Sequence, residues 1–459
     1  MRRAPAALVL LCLLLGALTL AIPAAPSYDP WSWLIWGREV LRLDLTTEMG
    51  PSWKPLPVLL TTPLALFGDA APYLWLVVAR AAHFGAVVAA ALIGLRLAGR
   101  LGAVLAGLLL LSFAELWQVT LLGNSEAMLV LCVLAAVERH LAHRHGQALA
   151  WAVAAGLLRP EAWPFLALYA LWLLIGDPRR LRWLAAGLAL VPALWLLPEL
   201  WGSGSLWRGA ERAQAVGPDA PSNAARPAFE VTRNAAELTP AVVYLGIVAG
   251  IVALALRAVP QTAVRPVAGL AALGMAWLAL VAVMTELGFS GIERYLLPPV
   301  AIAYVVAGVG LAWALGSLVA TGTRSRARIA VAALLSLVAA VALVRAGSTD
   351  WPPVRDSAER HDDITWELDS AIARAGGERR LEECGAITAS YLMVPPVAWT
   401  LDRHLTEVTP RPRLPGAILR ARLLKRYPID PPPDALEGKP GRTQLARTES
   451  WWIEGVCAR

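Results

Sequence analysis

The chain is poor in charge. Of its 459 residues 16% are Asp, Glu, Lys or Arg and 57% are hydrophobic, whereas a soluble domain carries about 25% charged and about 45–50% apolar residues. This excludes a disordered chain, which needs low hydrophobicity and high net charge, and argues against a single water-soluble globule. Lysine is nearly absent: of the 41 cations only Lys54, Lys425 and Lys439 are lysines. Catalytic signatures are missing too. There is no Walker loop, no glycine-rich dinucleotide turn, no HExxH and no CxxC pair, so neither a soluble nucleotide-sugar site nor an ATP motor is expected. Any chemistry is fed from the membrane. No internal repeat or long low-complexity tract is present.

What is present is a series of apolar runs, with a mean hydropathy of +0.56. About twenty apolar residues cross a bilayer. On that length eleven spans are expected, at 5–25, 72–95, 101–120, 125–139, 147–158, 162–176, 182–200, 240–257, 265–287, 296–320 and 328–346. The arginines mark one side. Arg96 and Arg100, Arg139 and Arg144, Arg179 to Arg182, Arg257 and Arg265, and Arg324 to Arg328 all fall in the loops this count places inside, as the positive-inside rule requires. The net charge of +7 is thus spent on inside loops, and no nucleic-acid partner is expected. The partner is the lipid bilayer of the cell membrane. The N-terminus with Arg2 and Arg3 stays inside, as an uncleaved first span in preference to a signal peptide, and residue 26 emerges outside.

Three segments are left on the outer face. Loop 26–71 carries Trp31, Trp33, Trp36 and Trp53 and is expected to hold an amphipathic helix lying in the membrane interface, where tryptophan prefers to sit. The polar loop 202–238 is the second. The tail 347–459 has a helical pattern near 358–375 and strand candidates near 385–389, 416–423 and 451–456. The chain thus divides into a membrane domain, 1–346, and a small α/β extracytoplasmic domain, 347–459. Cys12 and Cys132 fall in apolar runs and read as packing residues. Cys384 and Cys457 share the outer tail, where an oxidising compartment favours a disulfide.

Six groups could carry chemistry. Asp29, in Ser27-Tyr28-Asp29-Pro30-Trp31, sits just after the first span and suits a general base; Asp before Pro equally suits a helix start. Lys54, in Trp53-Lys54-Pro55-Leu56-Pro57, either binds one particular phosphate or snorkels to the interface. Glu126, in Asn124-Ser125-Glu126, either faces the bundle interior or favours the dipole of a helix start. Arg159-Pro160-Glu161 interrupts two short apolar runs, and a broken helix with an ion pair belongs only beside a cavity. Arg294, beside Tyr295, is a permanently charged fork suited to phosphate, or else pairs with Glu293 or Glu286 at the surface. Arg80 and His83 lie inside the second expected span, where a lone histidine is more often structural.

All of these except Arg80 and His83 map to one face. That arrangement, with Tyr28-Asp29, Lys54-Pro55-Leu56-Pro57, Leu158-Arg159-Pro160-Glu161 and Glu293-Arg294-Tyr295-Leu296-Leu297-Pro298, resembles the GT-C superfamily of integral-membrane glycosyltransferases over roughly residues 5–346. In the tail, Cys384-Gly385 and Val397-Ala398-Trp399 look like segments of actinobacterial relatives. The resemblance implies a polytopic helix bundle that moves one sugar from a polyprenyl-phosphate donor to a cell-envelope glycan or lipid acceptor. It implies Asp29 as catalytic base with inversion, and Arg294, Lys54 and Arg159 on the donor phosphate. Tyr28, Glu126, Glu161 and Tyr295 would contact substrate. Some members use a divalent metal such as Mg or Mn, but no ligand cluster for one is visible here. Two departures stand out. Pro30 follows Asp29 where protein mannosyltransferases carry a second acid, and Lys54-Pro55-Leu56-Pro57 replaces their His-Pro-Pro-Leu stretch. Both argue against a protein acceptor. A polyprenyl-pyrophosphate glycan ligase or polymerase, and a lipid or sugar transporter, are the other classes. The ligase would need several essential arginines, and the transporter would need paired broken helices where one pair is found.

Overall fold

A computed structural model describes residues 3–257, 259–320, 351–422 and 441–457. Every expected span overlaps a helix except 328–346, which lies outside the described residues. The first is α1 (Arg3–Leu18), shorter than the run 5–25 that was expected. A single 3-10 turn follows, and the chain is then extended, because Pro23 and Pro26 cannot donate to a helix and disfavour helix before them. In the first loop α2 (Tyr28–Arg42) and α3 (Pro55–Leu64) follow, each with proline in its first turn, where a missing N–H costs nothing.

Next is α4 (Ala71–Leu111), which contains two expected spans as the arms of one hairpin. It reverses at Gly99, whose φ of 67° is left-handed and suits glycine. The arms touch where a Cβ on Gly94 would clash with the Gly102 carbonyl oxygen. The second arm stops at Leu111, not at 120 as expected. Ser112 Oγ donates to the Leu109 carbonyl at 2.7 Å and the Trp117 indole to that of Leu111 at 2.8 Å, satisfying acceptors that a helix end leaves open. Helix resumes as α5 (Ala114–Leu121).

The remaining bundle comprises α6 (Glu126–Leu141), α7 (His145–Gly156), α8 (Trp163–Gly176) and α9 (Leu181–Ser203). Two short helices, α10 (Arg208–Gln214) and α11 (Pro227–Glu237), occupy the polar loop. Then come α12 (Ala241–Ala255), α13 (Gln261–Glu286) and α14 (Leu297–Ala320). By length and apolarity alone, four helical runs among the described residues could cross a membrane: Pro55–Leu111, Leu181–Ser203, Gln261–Glu286 and Leu297–Ser317. Helices α11 and α12 form a further pair bent by 90°.

The tail holds α15 (Trp351–Arg374), α16 (Glu378–Cys384) and α17 (Val394–Thr400). Its strands are β1 (Ala386–Ala389), β2 (Val408–Thr409), β3 (Gly416–Ala421), β4 (Arg442–Arg447) and β5 (Trp451–Val456). They make one mixed sheet in the order β2-β1-β3-β5-β4. Strand β1 runs parallel to β2 and β3, while β5 runs antiparallel to β3 and β4. The three strand candidates read from the sequence are β1, β3 and β5; β2 and β4 were not expected. The Cys384 and Cys457 sulfurs lie at bonding distance, 1.96 Å.

The tryptophans of the first loop require a correction. They do not lie in a lipid interface: Trp31 is 2% exposed, Trp53 3%, and Trp33 and Trp36 are fully buried. Trp31 meets Trp366 of α15 and Trp399 of α17 at ring-centre distances of 6.3 and 5.6 Å. Trp33 packs on Trp75 of α4 at 5.8 Å, and Trp36 on Trp53 at 5.5 Å. One core therefore runs from the bundle through α2 into the tail sheet. Indoles each bury about 150–250 Å², and the tail supplies the apolar partner that a membrane interface would otherwise supply.

Candidate functional site

A cavity of about 570 Å³ lies where the first loop, the bundle and the tail meet, within the ~300–1,000 Å³ usual for small-molecule sites. Asp29, Tyr28, Lys54, Arg159, Arg294 and Tyr295 all line it. Asp29 stands in the first turn of α2, two residues past the N-cap position that Ser27 holds, so it is not the cap. Pro30 fixes the turn. Lys54 is the residue before α3, Arg159 precedes the short turn Pro160–Ala162, and Arg294 lies in the turn just before α14.

These groups converge on the N-terminus of α6. Arg294 Nη2 donates to Asp29 Oδ2 at 3.0 Å and its Nε to Glu126 Oε1 at 2.9 Å. The same Glu126 oxygen accepts from Arg159 Nη2 at 2.7 Å. Arg159 also approaches Glu161 at 3.6 Å and lies over the Tyr295 ring at 4.2 Å. Lys54 Nζ donates to Ser125 Oγ at 3.2 Å and stands 5.0 Å over the Trp33 ring. It is 7% exposed and does not snorkel to water. Burial, then the neighbouring Arg159 guanidinium, hold its ammonium down to about 8.

Glu126 and Glu161 occupy other positions than substrate contact would require. Glu126 is fully buried and Glu161 is 3% exposed. Neither lines the cavity, and each stands behind an arginine as counter-ion. The Glu126 Oε2 and Glu161 Oε2 atoms have no partner among the described residues. Glu286, a sequence candidate for pairing with Arg294, instead accepts the Ala228 backbone N–H at 2.9 Å and holds the start of α11. Arg80 clamps the end of α1 to α5, donating to the carbonyls of Thr19 at 2.5 Å and Leu121 at 3.2 Å. His83 packs on Trp117 at 3.9 Å. Both lie away from the cavity.

The other wall was not legible in the sequence. Tyr391, Met393 and Pro396 from the tail sheet's connections, His361 and Thr365 from α15, and Arg212 from α10 complete the lining. Tyr28 stacks on Tyr391 at 4.8 Å and 21°. Burial, then the Tyr391 hydroxyl, push the Tyr28 hydroxyl well above its ordinary range, so it stays protonated. Burial pushes His361 down, leaving it neutral. Among the described residues no group of three His, Cys, Asp or Glu side chains could hold a metal ion.

A buried carboxylate gathering two guanidiniums beside a lysine, with a less buried carboxylate at the cavity edge, suits recognition of a phosphate next to a proton acceptor. No protein-family model matches the chain, and no curated protein does. Two solved structures are similar over the whole length. ArnT from Cupriavidus metallidurans bound to undecaprenyl phosphate aligns with a TM-score of 0.56 at 13% identity, covering 99% of this chain and 98% of that one. The apo form of the same protein aligns at 0.55 and 16%, covering 100% and 98%. The likeness is one of fold.

Proposed function

We infer that the fold, similar to that of ArnT over nearly the whole chain, is that of a GT-C polytopic membrane protein with a small α/β tail, as the resemblance implied. We propose that the chain is a membrane glycosyltransferase. It takes one sugar from a polyprenyl-phosphate donor and passes it to a cell-envelope glycan or lipid acceptor on the outer face of the membrane. The observation that carries this reading is the single cavity in which Asp29 faces Lys54, Arg159 and Arg294. The undecaprenyl phosphate bound by the similar ArnT supports a donor of that class.

In this reading the lipid tail stays in the bilayer and the donor phosphate sits among Arg294, Arg159 and Lys54. An acceptor hydroxyl attacks the anomeric carbon as the bond from that carbon to the phosphate oxygen breaks. The phosphate leaves with the electron pair as polyprenyl phosphate, and the three cations stabilise its charge. Asp29 takes the hydroxyl proton. Attack from the face opposite the leaving group inverts the anomeric centre. Glu126 and Glu161 position the arginines. Arg294 is paired with Asp29, so a bound phosphate competes with Asp29 for the guanidinium. The N-terminus lies inside, and the tail lies outside at the membrane face.

The test is Asp29→Asn in the native organism, read by mass spectrometry of lipid-linked sugars. General-base removal is expected to lower transfer by about 10²–10⁴-fold, so one polyprenyl-monophosphate sugar accumulates and a surface glycan loses the matching residue. Accumulation of a pyrophosphate-linked oligosaccharide would assign a ligase instead. Unchanged lipid pools with normal protein levels, or a product that retains configuration, would sink the scheme.

A further inference from the structure

Arg212 is the one arginine among the described residues lining the cavity whose described partners are all neutral. Its Nε donates to the Gly50 carbonyl at 3.3 Å, its Nη1 to that of Ala215 at 3.2 Å, and its Nη2 to the Tyr391 hydroxyl. Among the described residues no carboxylate stands within ion-pair distance of it. Arg294 and Arg159, by contrast, each hold two carboxylates, and Arg208, on the same short helix, holds Glu199 at 3.5 Å. The guanidinium is fixed by two backbone oxygens and lies 5.6 Å from the Tyr391 ring centre. That ring stacks on Tyr28, and Tyr28 is the chain neighbour of Asp29.

Three separate segments therefore meet at this wall: the first loop, α10 and the tail. We infer that Arg212, Tyr28 and Tyr391 form the acceptor arm of the cavity, and that it takes a carbohydrate acceptor bearing an anionic group, a carboxylate or a phosphate. This rests on the transferase reading, with the donor phosphate at the Arg294 end. A guanidinium held in place but not neutralised is a ready site for anionic oxygens. The tyrosine pair offers aromatic surface and hydroxyls to a sugar ring, in the way that rigid amphipathic side chains serve binding surfaces. An acceptor seated there is presented to Asp29, one residue along.

The test uses the full chain, purified in detergent and first saturated with undecaprenyl phosphate to occupy the donor end. Glucuronate, glucose 1-phosphate and glucose are then titrated by calorimetry. At least one anionic probe is expected to bind about tenfold or more tighter than glucose, a difference that one charge-assisted hydrogen bond supports. Arg212→Gln removes that preference and Arg212→Lys keeps part of it. Tyr391→Phe, which deletes the hydroxyl that Arg212 engages, weakens it less. Preference for glucuronate alone assigns a carboxylate, and for glucose 1-phosphate alone a phosphate. Glucose binding as tightly as both anions, or an anion preference that survives in Arg212→Gln, overturns the inference. If undecaprenyl phosphate itself does not bind, the donor reading fails. The Arg212-dependent preference is then read in its absence, with Arg294→Ala as the protein, so the two failures stay distinct.

Discussion

Helix α6 carries two buried glutamates, Glu126 at its start and Glu138 near its end, twelve residues or about 18 Å apart along the axis. Each holds two arginines. Glu138 divides them: Oε1 accepts from Arg96 at 3.0 and 2.8 Å, and Oε2 accepts from Arg139. Both oxygens are engaged and the cluster is closed. Glu126 crowds Arg159 and Arg294 onto Oε1 and leaves Oε2 without a described partner. Its arginines also face a cavity, and Lys54 stands beside them. The tail has a closed version as well, where Glu454 takes Arg442 on Oε1 and Arg420 on Oε2. The same chemical composition thus serves two ends. A saturated carboxylate fastens elements together. A carboxylate that orients cations toward a cavity keeps their remaining donors for a ligand.

The comparison breaks most sharply if the two glutamates prove interchangeable. Glu126→Gln is expected to lower sugar transfer by about 100-fold or more, because it misplaces two preorganised arginines and removes the one carboxylate they share. Glu138→Gln is expected to change transfer no more than about twofold, and to lower the melting temperature instead, since removing one side of a buried pair strands the rest. Transfer assays and melting curves on both variants check this. Equal losses of transfer would remove the distinction between closed and open clusters.

A finer version exchanges the arginines. Arg294 bridges Asp29 and Glu126 with two different nitrogens, which a lysine's single ammonium cannot reproduce. Arg294→Lys is expected to cost about 10–100-fold in transfer through misplacement of the phosphate. Arg96→Lys, whose fork also engages one carboxylate but whose side chain is 40% exposed, is expected to cost little. Transfer rates for the two variants at fixed donor concentration decide it.

Much of this was legible in the sequence, and what was not has a physical cause. The helices follow from apolar runs and their breaks. Asp29, Lys54, Arg159 and Arg294 were found because charge at a membrane boundary is costly and so conspicuous. Their pairing was not. Arg294 had Glu293 and Glu286 close in sequence, yet it engages Glu126 at a separation of 168 residues. The hairpin at Gly99 was read as two full spans, because hydropathy does not report where a helix turns. The largest miss was the tail's docking. Apolar tryptophans beside a membrane look alike whether lipid or protein covers them, so Trp31 gave no sign of Trp399, nor Tyr28 of Tyr391. Arg212 was visible only as one more charge in a polar loop.

That docking supplies the weakest contrast and the smallest expected effect. Glu39 of α2 is a third buried carboxylate, 3% exposed, and its partner is a histidine of the tail. His404 Nδ1 lies 2.8 Å from Glu39 Oε1, and its Nε2 lies 3.2 Å from Asp44. Partial burial pulls the imidazole down, but the hydrogen bond to Glu39 and the charges of Glu39, Asp44 and Glu407 outweigh it, so the net direction is up. A pKa raised by folding contributes stability that is complete below the unfolded value of 6.5 and is lost as pH rises through the folded value. Raising the pH from 6 to 8.5 is therefore expected to loosen the tail on α2. A partly exposed pair contributes at most about 1 kcal/mol, or about 1 °C in a chain of 459 residues. His404→Gln should show a smaller fall in melting temperature over that range than the parent protein. Equal slopes would mean that the tryptophan core, and not the ion pair, holds the tail in place.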